Sequence, residues 1–295
     1  MSKDPASFIV AGIDGSAAAD AAAHWAADEA HLRNAGLHLL FAYQIPVVGH
    51  PEYEYPPEFA DAIRAAGQAT LDRVAAEIAD TYPDLDVKKT KKEADARLAL
   101  VDESKNASMT VVGTRGKSRL AEVLLGSVAL HLAAHSHSPV AVVPHSTPQF
   151  TQGPILVGAD GSPNSDAALG FAFDEAVLRG AELVVTLAWH ELTYHRLARR
   201  PVIHGTAAEE AEAVLDHQLA AWCEKYPEVS IRKVIHRGSP TEGLLRHKDQ
   251  STDDPRLVVV GSRGRGGLSG LFLGSTSHAV IIHSRCPVIV VRPGQ

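Results

Sequence analysis

The chain is short of the residues on which several classes of protein depend. It has only two cysteines in 295 residues, Cys223 and Cys286, in unrelated sequence contexts. That excludes a disulfide framework and a thiolate zinc site as organising principles. Aromatic residues make up 5% of the sequence, too few for the stacking surface of a single-strand binder. Positive charge is scarce as well: 28 Lys and Arg stand against 35 Asp and Glu, a formal net charge of −7. A general binder of phosphate backbones carries the opposite balance, so nucleic acid is not an expected partner and any basic feature must be local. No stretch approaches the apolar length of a membrane span, and the first eight residues lead into a short apolar run without a signal-peptide core. These absences lead to the expectation of a soluble, cytoplasmic protein with no membrane contact.

What is present is a 45% hydrophobic content, enough for a core in each of two domains, and an internal repeat. Val10-Ala-Gly-Ile-Asp-Gly-Ser16 aligns with Leu156-Val-Gly-Ala-Asp-Gly-Ser162 at an offset of 146. The same offset carries Asp20, Asp28, Glu29, Leu32 and Arg33 onto Asp166, Asp174, Glu175, Leu178 and Arg179. Farther on it drifts by two, so that Gly113, Gly126 and Pro139 match Gly261, Gly274 and Pro287. Small insertions in surface loops account for the drift. The period is a whole domain, which reads as a duplication. Residues 144–154, polar and rich in proline, read as a linker. The expected layout is a first domain over 7–144, a linker over 145–154 and a second domain over 155–292.

Within the first half, residues 8–13 are a short apolar run suited to a buried strand. Strong helix formers follow over 17–33, with Gly36 as the expected stop. Residues 37–43 are again a strand, 44–57 an irregular loop, and 59–82 a helix with Phe59, Ile63, Leu71, Val74 and Ile78 near helical spacing. The lysine-rich segment 86–92 reads as an edge strand. A short helix over 95–105, a strand at 109–112, a glycine-bearing loop, a helix from Ser127 and a last strand at 140–143 complete the order. The second half repeats it from 155 to 291. Strands that alternate with helices and are apolar throughout imply an α/β fold, two tandem five-stranded doubly wound parallel-sheet domains.

The sharpest local signal is Gly113-Thr-Arg-Gly116, nine residues, then Gly126-Ser127; its twin is Gly261-Ser-Arg-Gly264, nine residues, then Gly274-Ser275. With glycine near ~7% of residues, such a pattern arises by chance on the order of 10⁻⁴ times per position, and here it occurs twice in register after a strand. Glycines at the first two positions let the backbone turn sharply and come close to a ligand. Gly126-Ser127 and Gly274-Ser275 open the next helix, where unpaired amides and the helix dipole suit a phosphate. Ser127 and Ser275 serve either as helix caps or as hydroxyl donors to phosphate oxygen. Thr114, Arg115, Lys117, Ser118 and Arg119 in one loop, and Ser262, Arg263, Arg265, Gly266 and Gly267 in the other, complete the candidate cradles. The arginines and Lys117 supply the local positive charge that a triphosphate needs.

Asp14 and Asp160 each close a buried strand at its carboxyl end, where open α/β sheets place their ligands. A carboxylate there can accept from ribose hydroxyls or orient an adenine; the plainer alternative is a helix cap. Gly12 and Gly158, inside those strands, indicate close backbone approach rather than good packing. There is no Gly-Lys-Ser/Thr after the first strand and no Gly-x-Gly-x-x-Gly, so neither a Walker loop nor a dinucleotide fingerprint is present.

An Asp ending strand one, with Gly-x-x-Gly, nine residues and Gly-Ser, resembles the ATP-binding branch of the universal stress protein family, over nearly the whole chain and twice. The resemblance implies strand order three, two, one, four, five, and pairing of the two domains through their last strands, with further homodimerisation left open. It implies adenine contacts from the backbone at Ala42 and Ala188, and phosphate contacts at Val128 and Thr276, the last departing from the apolar residue often found there. It also implies ATP or another adenine nucleotide, with or without Mg2+, as the ligand, one per domain. Lys117-Ser-Arg119 stands where the second half has Arg265-Gly-Gly267, so the two sites are expected to differ. The leading functional expectation is a nucleotide-dependent regulator in stress or growth control, because no catalytic base is placed by motif. A slow ATPase or phosphotransferase, and a partner-binding protein with vestigial pockets, are the alternatives.

Sixteen histidines raise the question of a metal. His131 and His135 share a helix face, with His137 beyond, yet no carboxylate or cysteine completes a set, so they read as a surface pair or partial cap. The loops 44–57 and 191–205, with His50, His195 and His204, and His190 at the edge of the second, are long enough to cover a cleft. His24, Trp25, Phe171 and Phe173 read as packing residues, and Cys286 as a buried inert thiol.

Overall fold

The structure, a computed structural model, describes residues 8–46, 56–114, 125–145, 152–189, 207–245, 254–264 and 273–294. The chain divides into two compact units, Met1–Ser146 and Thr147–Gln295.

The first unit runs β1 (Phe8–Ile13), α1 (Ala17–Leu32), β2 (Gly36–Tyr43), α2 (Pro57–Thr81), β3 (Val87–Glu93), α3 (Ala96–Glu103), β4 (Ala107–Gly113), α4 (Ser127–His135) and β5 (Val140–Val143). Its strands are all parallel, in the order β3-β2-β1-β4-β5. The second unit repeats the plan with β6 (Ile155–Ala159), α5 (Pro163–Arg179), β7 (Leu183–Trp189), α6 (Ala207–Lys225), β8 (Ile231–Arg237), α7 (Pro240–Leu245), β9 (Leu257–Gly261), α8 (Ser275–His283) and β10 (Val288–Val291). Its parallel order is β8-β7-β6-β9-β10. In each unit the strand order reverses where the first and fourth strands lie side by side, the place at which such sheets open a crevice.

The central strands are covered on both faces, so they are apolar without alternation. Ile9, Val10, Ala11, Leu37, Leu39, Val111 and Val142 are buried, as are Leu156, Val157, Val185 and Val259. Helix α1 turns an alanine face to the sheet, with Ala18, Ala19, Ala22, Ala23, Ala26, Ala27 and Ala30 all buried. Methyl-sized contacts bring that helix close to the strands, a closeness that matters at the site below. Two ion or hydrogen-bond ties recur in both units and hold the second helix in place. Tyr82 donates to Asp28 at 2.8 Å and Tyr226 to Asp174 at 2.6 Å. Lys89 reaches Asp72 at 2.6 Å and Lys233 reaches Asp216 at 2.5 Å.

One helix ends differently from the sequence expectation. Gly36 does not stop α1; it lies in β2, where an added Cβ would sit 2.3 Å from the Phe8 ring. The stop is Asn34, at φ 51, with Ala35 N–H donating to the Ala30 carbonyl at 2.9 Å and Asn34 N–H to His31 at 3.2 Å. This is the paired closing pattern of a left-handed helix cap. Its counterpart in the second unit is Gly180, at φ 56. Phe59, expected on the packed face of α2, is 38% exposed, while Leu71, Val74 and Ile78 are buried as the spacing predicts.

His131 and His135 stack on each other with ring centroids 4.3 Å apart. Among the described residues no group of three His, Cys, Asp or Glu side chains could hold a metal ion. Phe173 is fully buried beneath Trp222 and Tyr226, whereas His24 is half-exposed and bridges to Glu77 of α2 at 3.2 Å. Cys286 is buried, and burial raises its pKa from 9.0 to about 11, so the thiol is held neutral. Among the described residues no helix is long and apolar enough to cross a membrane.

Candidate functional site

Each first strand ends in Asp-Gly-Ser, and the geometry separates the three roles. Ser16 is the N-cap of α1, accepting from Ala19 N–H at 3.2 Å; Ser162 caps α5 in the same way, from Ser165 N–H at 3.2 Å. Gly15 and Gly161 adopt φ 78 and φ 72, a region that favours glycine, and so turn the chain between strand and cap. Asp14 and Asp160 are therefore not the helix caps. Their Oδ1 atoms accept from Ser16 and Ser162 N–H, both at 2.9 Å, which fixes the carboxylates at the strand ends. Ile13 lies opposite Phe41, and continuing that register by one residue brings Asp14 alongside Ala42 of β2. Leu187 lies opposite Ala159, which places Asp160 alongside Ala188 likewise.

The glycine loops are pinned at both ends in both units. Thr114 N–H donates to Val143 at 3.1 Å, and its carbonyl accepts from Gly126 N–H at 2.8 Å. Ser262 N–H donates to Val291 at 2.8 Å, and its carbonyl accepts from Gly274 N–H at 2.8 Å. Each loop thus closes on itself and delivers the chain to the start of the following helix. There the N-caps are Gly126 and Gly274, which have no side chain to satisfy the first-turn amides. Ser127 and Ser275 are the first helical residues, so of their two expected roles the capping one is excluded. Val128 and Thr276 follow in the same turn.

Two pairs of glycines and a single one prove to have different reasons. Gly113 and Gly261 do not face a ligand; an added Cβ would lie 2.6 Å from the Ala18 carbonyl oxygen and 2.7 Å from that of Asn164. They admit the backbone of the first helix, which the small residues of α1 have drawn in. Gly12 and Gly158 are approached by leucines, Leu100 of α3 and Leu244 of α7, whose methyls come to 2.8 Å and 3.2 Å of an added Cβ. That is side-chain packing where the sequence pointed to close backbone approach. Gly264 is the one that looks into the crevice: its added Cβ would lie 2.8 Å from Asp160 Oδ2. The second unit therefore brings strand-one carboxylate and glycine loop together. Arg115, Gly116, Lys117, Ser118, Arg119, Arg265, Gly266 and Gly267 lie outside the described residues, as do most of the two long loops.

The second unit also holds a polar chain that the sequence did not reveal. Gly161 N–H donates to Gln218 Oε1 at 2.9 Å, Gln218 Nε2 donates to Ser165 Oγ at 2.9 Å, and the Asp160 N–H donates to the same hydroxyl at 3.2 Å. Ser262 Oγ donates to Asn164 Oδ1 at 3.2 Å, and Ser277 Oγ to the Gly261 carbonyl at 2.6 Å. In the first unit Ala19 and Val74 occupy the positions of Ser165 and Gln218, so that turn has no such brace. The aligned halves carried this difference, but Gln218 is remote in sequence from the turn it supports. An open cleft beside this brace, between α5 and α6, is lined by Gly161, Ser162, Pro163, Asp166, His217 and Gln218, with no glycine-loop residue among the described residues. The Gly161 and Ser162 amides there already donate to Gln218 and Asp160, and the glycine loop remains the better candidate.

Known proteins are similar to this one over the same span. A universal stress protein of Mycolicibacterium smegmatis is 38% identical over 295 residues, covering 97% of both chains. A universal stress protein of Mycobacterium tuberculosis is 38% identical over 292 residues, covering 96% of both. The crystal structure of a universal stress protein from Archaeoglobus fulgidus shares the fold, with a TM-score of 0.72 at 20% identity, over 97% of this chain and 98% of that one. The profile of the Universal stress protein family matches residues 8–144 and again residues 153–292. With two such matches and relatives that share its full length, the chain belongs to the universal stress protein family as a tandem, two-domain member.

Proposed function

We propose that each unit binds one adenine nucleotide, ATP foremost, and that occupancy makes the protein a nucleotide-dependent regulator. The observation that supports this most is the meeting of Gly264 with Asp160, beside a helix start whose cap is glycine. A carboxylate at the end of the first strand accepts hydrogen bonds from ribose hydroxyls, while first-turn amides and loop amides receive phosphate oxygens. The hydroxyls of Ser127 and Ser275 add a donor in each unit. Ala42 and Ala188, at the ends of β2 and β7, offer backbone groups to an adenine ring that lies next to the carboxylate. The matching pattern in the first unit, Asp14 with Gly126-Ser127, makes two sites per chain the natural stoichiometry.

Regulation is favoured over catalysis because the sequence motif assigns no catalytic base, and the carboxylate that meets the glycine loop, Asp160, is given to the nucleoside in this reading. A Mg2+ ion is assigned to the phosphates of the ligand, without a protein cage of its own. Protein purified without added nucleotide, then denatured and assayed for released nucleotide, tests the reading. Up to two adenine nucleotides per chain support it; an empty protein that ignores added ATP opposes it. Steady release of ADP would instead favour the ATPase alternative.

A further inference from the structure

The turn that carries Asp160 is held from α6. Ser165 of α5 has one hydroxyl proton and two lone pairs, and all three are engaged. Its Oγ donates to the Ser162 carbonyl at 3.0 Å and accepts from Asp160 N–H at 3.2 Å and from Gln218 Nε2 at 2.9 Å. Gln218 Oε1 accepts from Gly161 N–H at 2.9 Å. These partners fix which way the Gln218 amide points. Turned over, it would set its NH2 against the Gly161 N–H, donor against donor. The amides of Asp160 and Gly161 thus both end on one linked pair of side chains, Ser165 and Gln218. The carboxylate between them has Oδ1 on Ser162 N–H at 2.9 Å and Oδ2 toward Gly264.

Helix α6 is itself fastened to α5 along the face that carries Gln218. Gln218, Trp222 and Tyr226 follow at four-residue spacing, so they share one side. Trp222 Nε1 donates to Asp166 Oδ1 at 2.9 Å, and Tyr226 to Asp174 at 2.6 Å. The Trp222 ring lies against Gly170, where an added Cβ would come within 2.5 Å of it. A helix tied in this way delivers the Gln218 amide to a fixed place, so the turn conforms to the amide. In the first unit Val74 and Ile78 stand at the places of Gln218 and Trp222, and Ala19 at that of Ser165. None of these three side chains can form a hydrogen bond.

We propose that Gln218 is a positioning residue of the second unit's nucleotide site: through Gly161 and Ser165 it holds Asp160 in the orientation that receives the nucleoside. This rests on Asp160 being the nucleoside's acceptor. A carboxylate fixed before the ligand arrives has less freedom to lose on binding, so the brace adds affinity without touching the ligand. The contribution belongs to the second unit alone.

The test is calorimetric titration with ATP of the full-length, nucleotide-free chain carrying Asp14→Ala, which leaves the second site to bind. Adding Gln218→Met keeps the length of the side chain and removes both of its hydrogen bonds. ATP affinity should fall roughly tenfold, the order of one net hydrogen bond. Ser165→Ala cuts the link at its other end, with the residue that the first unit already carries there, and should give a similar loss. The deciding readout is a double-mutant cycle with Asp160→Asn. If Gln218 acts through the carboxylate, Gln218→Met should cost less than about twofold in the Asp160→Asn background. A general loosening of the unit would instead multiply the two losses. Multiplied losses, or an ATP affinity unchanged in both Gln218→Met and Ser165→Ala, overturn the assignment and leave the nucleotide reading standing. A wild type with no heat of ATP binding overturns the nucleotide reading, and the assignment with it.

Discussion

Gly264 and Asp160 are so placed that a single methyl on the glycine would come within 2.8 Å of a carboxylate oxygen of the aspartate. Gly261, three residues earlier in the same motif, has its open side filled by the Asn164 carbonyl at 2.7 Å instead. One motif therefore contains a glycine that serves the crevice and a glycine that serves the packing of α5. Substitutions in it divide accordingly. Gly261→Ala should destabilise the second unit by about 1–3 kcal/mol through overpacking against helix backbone, read as a lowered melting temperature. Gly264→Ala should leave melting nearly unchanged and weaken nucleotide binding at one site. A bulky Gly261→Glu change is accordingly a poor probe of binding, since its first effect is on folding.

Asp14 and Asp160 should each control one nucleotide. Their carboxylates accept a backbone N–H from the following serine, a bond that Asn can reproduce through its side-chain oxygen. Asp160→Asn should keep the turn and the melting temperature, yet lose roughly tenfold or more in nucleotide affinity where a charged acceptor is replaced by a neutral one. Asp14→Asn should do the same at the other site. Titration of the two single variants and the double variant would show one, one and no strong sites.

Cys286 and Cys223 should differ sharply as thiols. Cys223 is exposed, whereas burial holds Cys286 at a pKa of about 11. At pH 8 the thiolate fraction at Cys286 is on the order of a thousandth, and a buried neutral thiol is a poor nucleophile. Mass spectrometry after brief alkylation of native protein should find one label per chain, and two after denaturation. A doubly labelled native protein would contradict the packing around β10.

His38 gives the first unit a pH dependence at a place where the second unit has no titratable side chain. Its Nε2 lies 2.8 Å from Thr90 Oγ1 and its Nδ1 lies 3.7 Å from Glu103 Oε2. Burial is the main cause of its lowered pKa, aided by Lys88 and Lys92 and opposed by Glu103. Because the folded value lies below 6.5, the unfolded chain takes up the proton first as pH falls. Stability conferred by the neutral imidazole is complete above 6.5 and declines from there down to the folded value. Val184 and Val234 stand at the corresponding places of the second unit. Hydrogen exchange of β2 amides should accelerate on passing from pH 7 to pH 5.5, after correction for intrinsic rates, while β7 amides stay level. His38→Val should remove the difference between the two strands.

The strands, the duplication and the glycine pattern were legible because each leaves a local mark: apolar runs for strands buried on both faces, and glycines where backbone must pass closely; the strand order came with the family resemblance. Helix ends were less so. Gly36 looked like the stop of α1, but Asn34 takes the left-handed conformation, as an amide side chain tolerates there. Aligning the halves points to the right residue, since Asn34 matches Gly180. Asn34→Ala should cost about 1 kcal/mol, and Asn34→Gly should match or exceed the wild type. The purposes of Gly12, Gly113 and Gly261 were not legible, because what fills the space beside a glycine comes from Leu100, Ala18 and Asn164, distant in sequence. The brace from Gln218 to Ser165 was hidden for the same reason.

The most direct measurement is the stoichiometry of ATP binding to nucleotide-free protein by calorimetry. Two sites per chain, one abolished by Asp14→Ala and the other by Asp160→Ala, with both variants still folded by circular dichroism, is the predicted result. No heat of binding from well-folded wild type, or two sites that persist in the double variant, would contradict it.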